Sequence, residues 1–118
     1  MAAPQTPADD TPAEVPVACS LTRAGLAEQA GRWERLAARA MTAHEQTADG
    51  VRISFRPDPG TEKELRSLVA VETECCAWAG WTVQASAAGL VLDVRATGDG
   101  IAALHGMFTG MRQAPVQR

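Results

Sequence analysis

The chain has no tyrosine, only two phenylalanines and three tryptophans among its 118 residues. With so few large rings to fill a core, Trp33, Trp78 and Trp81 are expected as core and core-rim residues rather than as parts of a cofactor box. A basic excess is also lacking. Eleven Lys and Arg stand against 14 Asp and Glu, a net charge of −3. Nothing is left over to neutralise phosphates, so neither nucleic acid nor an acidic lipid surface is the expected partner. No apolar run approaches the roughly 20 residues of a membrane-spanning helix, and the chain is expected not to enter a bilayer. The first 18 residues carry Asp9, Asp10 and Glu14 but no Lys, Arg or apolar stretch of the secretory kind, which points to the cytoplasm. Cysteine is scarce: there are three. An odd number with two of them adjacent excludes a framework of disulfides and fits a reducing compartment, where thiols are kept for metal or redox work. A glycine-rich phosphate loop is missing as well. Gly98-Asp99-Gly100 reads only as a turn and helix start. No Ser-His-Asp set can be assembled, and His44 and His105 are expected to be solvated. No organic cofactor is expected.

What is present suffices for one continuous core, since 46% of the residues are hydrophobic. Residues 1–18 hold Pro4, Pro7, Pro12 and Pro16 and almost nothing large and apolar, which predicts a flexible tail. A single domain is expected over residues 19–112, with a frayed end at 113–118. From Leu21 the apolar residues Leu26, Ala30, Trp33, Ala37 and Ala40 recur at helical spacing, with Thr22 as N-cap and an end near Thr42. Val51, Ile53 and Phe55 alternate with polar residues as a strand that Pro57 and Pro59 close. A second helix is expected between Gly60 and Gly80. The runs 81–85 and 90–95 read as a hairpin turning through Gly89, and Ile101, Leu104, Phe108 and Met111 form a last helical stripe. The fold class is α+β: a small two-layer domain in the order helix, strand, helix, strand, strand, helix, with helices on a small mixed sheet. A parallel crossover over residues 51–85 is compatible with this order.

The chemistry concentrates on the second helix. At 100° per residue, Leu65, Leu68, Val69, Cys76 and Ala79 cluster around one direction, with Glu72 at its centre and Cys75 and Cys76 on the two flanks. A carboxylate pointing into a core must be protonated, paired or coordinated. The bland alternatives are a structural ion pair of Glu72 with Arg23 or Arg39 and two inert buried thiols. Neighbouring helical side chains diverge, so a Cys75–Cys76 disulfide would disrupt the helix. Joint ligation of one soft ion, or pairing of either thiol with Cys19, is easier. Thiolates select copper(I), zinc and other thiophilic ions or metalloids over magnesium or calcium. Paired cysteines at the spacing usual for zinc are absent, which puts zinc behind the others.

The run Cys19 to Thr22 leading into an Ala/Arg-rich helix, the segment Glu72-Thr73-Glu74-Cys75-Cys76-Ala77-Trp78 and the strand start Trp81-Thr82-Val83 resemble a group of small uncharacterised bacterial proteins. These share a Cys-(Ser/Thr)-Leu arm and a Glu-Cys-Cys helix. The resemblance covers roughly residues 17–110 and implies an association with heavy-metal (mercury or arsenic) resistance loci. In its thiol-plus-carboxylate composition alone the set is also similar to organomercurial lyase, from which length and spacing separate it.

Three readings follow. The leading one is binding or sequestration of a soft metal or metalloid ion of the mercury, arsenic or copper(I) class by Cys19, Cys75, Cys76 and Glu72. The second is a thiol-dependent lyase or oxidoreductase with a cysteine nucleophile, Cys75 or Cys76, and Glu72 as acid and base. The third is a protein-interaction domain without chemistry. A protein partner or a homodimer stays open.

Overall fold

A computed structural model describes residues 21–109. The tails expected at 1–18 and 113–118 lie outside these residues, as do Cys19 and Met111. Helix α1 (Arg23–Ala40) is followed by strands β1 (Met41–Thr47) and β2 (Gly50–Phe55), helix α2 (Pro59–Cys75), strands β3 (Gly80–Ser86) and β4 (Gly89–Arg95), and helix α3 (Asp99–Thr109). This is the α+β succession that the sequence pattern predicts, with one strand more. No helix among the described residues is long and apolar enough to cross a membrane.

The added strand is β1. The helical pattern runs on to Thr42, but the chain turns extended at Met41, whose φ and ψ are −70° and 131°. Only Met41 of this strand is buried. As a sheet edge it has no inward alternation to betray it. Its His44 is half-buried rather than solvated.

The sheet order is β1-β2-β4-β3, and every neighbouring pair is antiparallel. The sheet is therefore antiparallel throughout, not mixed. Strands β2 and β3 do point the same way across α2, because each opposes β4, but β4 lies between them. The crossover is split, and no parallel ladder forms. Val51, Ile53 and Phe55 stand opposite Val94, Leu92 and Leu90, and all six are buried on the helix side. On the other face Arg52 and Asp93 pair across the same two strands at 2.9 Å. The β3–β4 hairpin turns as expected at Gly89, where φ is +148°, a value open to glycine and strained for other residues.

Helices α1 and α2 each start on a side-chain cap. Thr22 Oγ1 accepts from the Gly25 N–H at 3.0 Å, and Asp58 Oδ1 accepts from the Thr61 N–H at 2.9 Å. The buried stripe of α2 is Thr61, Leu65, Leu68, Glu72 and Cys75, which steps by four and three residues as one helix face must. On α1 the buried stripe is Gln29, Trp33, Leu36 and Ala40. Leu26 and Ala30, expected inside, are exposed, Leu26 by 44%. The face is rotated toward Gln29 because that amide finds buried partners, described next.

Candidate metal centre

Arg32 of α1 forks onto Glu64 at 3.1 and 3.2 Å and donates to Ser67. Gln29, one turn earlier in α1, reaches Leu68 and Glu72, one turn later in α2. The two helices therefore run antiparallel, and the start of α1 lies beside the end of α2.

At that end stands the carboxylate. Glu72 is 4% exposed, and its Oε2 accepts two hydrogen bonds from α1, from Trp33 Nε1 at 2.8 Å and from Gln29 Nε2 at 3.0 Å. Gln29 Nε2 also donates to the Leu68 carbonyl at 3.2 Å, so the amide is itself fixed. The partners of Oε2 are thus neutral N–H donors on α1, and neither Arg23 nor Arg39 supplies the ion pair held open above. Two such donors recover much of the solvation that burial takes from a carboxyl oxygen.

The other oxygen faces sulfur. Oε1 lies 3.6 Å from Cys76 Sγ and 3.8 Å from Cys75 Sγ, with the thiols as donors. The two sulfurs are 3.5 Å apart. Both cysteines are buried, 6% and 2% exposed. In a continuous helix adjacent side chains would diverge, and the helix was expected to run on to Gly80. It stops at Cys75. Cys76 is the cap residue at φ −121° and ψ 64°, and its N–H still donates to the Glu72 carbonyl at 2.7 Å. That departure from helical backbone swings Cys76 Sγ back over Cys75 and Glu72, and the three donor atoms fall within 4.8 Å of one another.

The loop that carries Cys76 is held from two sides. Trp81 Nε1 donates to the Cys76 carbonyl at 3.5 Å. Trp78 lies against Gly100 at the start of α3, where a Cβ would come within 3.1 Å of its ring. Phe108 of α3 meets Trp33 edge-on, centroids 5.7 Å apart and planes at 87°, and Trp81 at 6.1 Å. The three tryptophans are thus wall and anchor around the thiols, as core and core-rim residues should be.

The structure therefore brings together Glu72, Cys75 and Cys76, a buried group that could share one metal ion. Cys19 lies outside the described residues. The sequence pattern did not single out Gln29. Its signal was present: a glutamine one helical turn before Trp33 on the same face. His105 was expected in solvent and is instead half-buried, its Nε2 within 3.2 Å of the Thr47 carbonyl and 3.0 Å of the Gly50 carbonyl. It ties α3 to the β1–β2 turn. No protein-family model matches the chain, and no curated protein and no solved structure matches it.

Proposed function

We propose that the protein binds one thiophilic metal or metalloid ion at Glu72, Cys75 and Cys76, with Cys19 as a third thiol, and serves as a cytoplasmic scavenger or carrier of that ion. The observation that carries this reading is the convergence of two buried thiols on a single carboxylate oxygen, at 3.6 and 3.8 Å. A structural carboxylate would be satisfied by the Trp33 and Gln29 donors alone, and two inert cysteines need no acid beside them. Thiolates choose soft ions, and the carboxylate can accept the protons that ligation releases.

The antiparallel helices support a part for Cys19. Thr22 lies seven residues before Gln29, and Cys75 three residues after Glu72. Along the helix axis Thr22 and Cys75 are thus offset by about 6 Å, while the three residues from Thr22 back to Cys19 can span about 10 Å. The resemblance to proteins of heavy-metal resistance loci agrees with such a role.

Titration of the reduced full chain with copper(I), mercury(II), arsenite and zinc(II), with accessible thiols counted at each step, tests the reading. One ion per chain that shields all three thiols together is expected. Protection of a single thiol, or equal binding by the triple Cys→Ser chain, would leave an interaction domain in its place.

A further inference from the structure

We infer that the seat holds an ion at bent angles on two sulfurs and one oxygen, as the zinc(II) and cadmium(II) class requires, and not in a straight line between two sulfurs. The inference rests on the ion-binding reading above and narrows it. Two sulfurs on opposite sides of an ion, at a bond length of about 2.3 Å, would stand about 4.6 Å apart. The sulfurs of Cys75 and Cys76 are 3.5 Å apart, which at that bond length corresponds to an S–M–S angle of about 100°. With a metal–oxygen bond of about 2.1 Å, the Oε1 separations of 3.6 and 3.8 Å give O–M–S angles of about 110° and about 120°. These are three corners of a tetrahedron. A single ion above the donor triangle satisfies all of them with no side chain moved.

Two features hold the donors in this arrangement. Both cysteines are buried in close-packed surroundings, so spreading the sulfurs by an ångström means forcing side chains against their neighbours. Glu72 is limited to one oxygen, because Trp33 and Gln29 engage Oε2. Gln29 and Trp33 are thus positioning residues that aim Oε1 at the ion, in the way hydrogen-bond partners of metal ligands do. A mixed set of two thiolates and one carboxylate oxygen suits a borderline ion better than copper(I), which prefers sulfur alone. The missing pair of spaced cysteines then loses its force against zinc, since Glu72 and Cys75 themselves stand three residues apart on one helix face.

Cobalt(II), which reports its coordination in the visible spectrum, tests this on the reduced full chain, in parallel with copper(I). The expected result is saturation at one cobalt(II) per chain, with sulfur-to-cobalt charge transfer and the intense visible bands of a tetrahedral site, bleached by cadmium(II) or zinc(II). Glu72→Gln should weaken cobalt(II) binding by at least tenfold while copper(I) binding stays within twofold. Trp33→Phe, which removes none of the three proposed metal ligands, should cost cobalt(II) affinity about 10–100-fold and serves where Glu72→Gln fails to fold. The inference is overturned if cobalt(II) is not taken up, shows the faint bands of a six-coordinate ion, or binds unchanged in both variants, while copper(I) or mercury(II) shields the thiols one to one. The ion-binding reading would survive that result. If no ion shields the thiols, that reading falls and this one with it.

Discussion

The indole N–H of Trp33 points at Oε2 of Glu72 across 2.8 Å, and both side chains are buried between α1 and α2. It is a polar bond in an apolar seam, made by residues 39 positions apart. Such a bond contributes modestly while intact and is costly to leave unmade. Trp33→Phe keeps most of the ring and the edge-on contact with Phe108 but removes the donor, leaving Oε2 with Gln29 alone. Unfolding in urea should show a loss of about 1–3 kcal/mol, the range for a buried group left short of a partner. A loss no larger than that of an exposed substitution, about 0.5 kcal/mol, would mean that the bond contributes nothing to holding the helices.

Cys75→Ser and Cys76→Ser separate binding from folding. Serine is close in volume and its hydroxyl can still donate to Glu72 Oε1, so the thermal midpoint of each variant should stay within a few degrees of the parent. A hydroxyl is a poor ligand for thiophilic ions. Each variant should therefore lose tight binding in the thiol-protection titration. Wild-type affinity in either one would remove that sulfur from the site.

Much of α2 was legible because a helix face repeats at fixed spacing. Leu65, Leu68 and Glu72 fall on that face in the sequence and in the structure, and Cys75, which the spacing puts on its flank, is buried with them. The inward place of Glu72 was visible for the same reason. Three things were not. Strand β1 is an edge with one buried residue, so it carries no pattern of its own. Gln29 looks like surface in any count of apolar positions, and its burial follows only from acceptors 39 and 43 residues away. The meeting of Cys75 with Cys76 depends on a single non-helical backbone pair at Cys76, and neither periodicity nor composition encodes that.

Gly100 offers a test at a distance from the donors. A Cβ there would come within 2.9 Å of Ala96 Cβ and 3.1 Å of the Trp78 ring. Gly100→Val should push Trp78 outward and with it the loop that carries Cys76. Ion affinity is expected to fall although no ligand is touched, and Trp fluorescence should shift to the red as Trp78 gains exposure. Unchanged affinity together with an unchanged spectrum would show that the loop does not depend on this contact.

Acid stability has a component at the β1–β2 turn. The Arg95 guanidinium donates to Asp49 Oδ2 at 3.0 Å, and this hydrogen bond holds the Asp49 carboxyl below the usual carboxylate range. A folded-state value lower than the unfolded one stabilises the fold above the unfolded pKa, near 3.9. That contribution fades as the pH falls through the lowered value. The pair is exposed and screened, so its effect is small and should shrink further in high salt. Melting curves of wild type and Asp49→Asn in low salt should differ near pH 7 and converge at the lowest pH. A gap that widens on acidification would give the linkage the wrong sign.

Cys19 is tested most sharply by kinetics. If it is a third thiol arriving from the segment before α1, Cys75, Cys76 and Glu72 still form the seat without it, and an ion can bind there. What Cys19→Ser removes is the donor that covers the seat, so the loss should fall mainly on the rate of release. Transfer of the bound ion to excess chelator should be faster in Cys19→Ser than in wild type, and the association rate should change much less. In the same variant alkylation should find Cys75 and Cys76 still shielded by the ion, but for a shorter time. Equal release rates would exclude Cys19 from the site and leave a seat of two thiols and one carboxylate. Complete loss of binding would instead make Cys19 an obligatory ligand, without which the donor triangle on α2 cannot hold an ion.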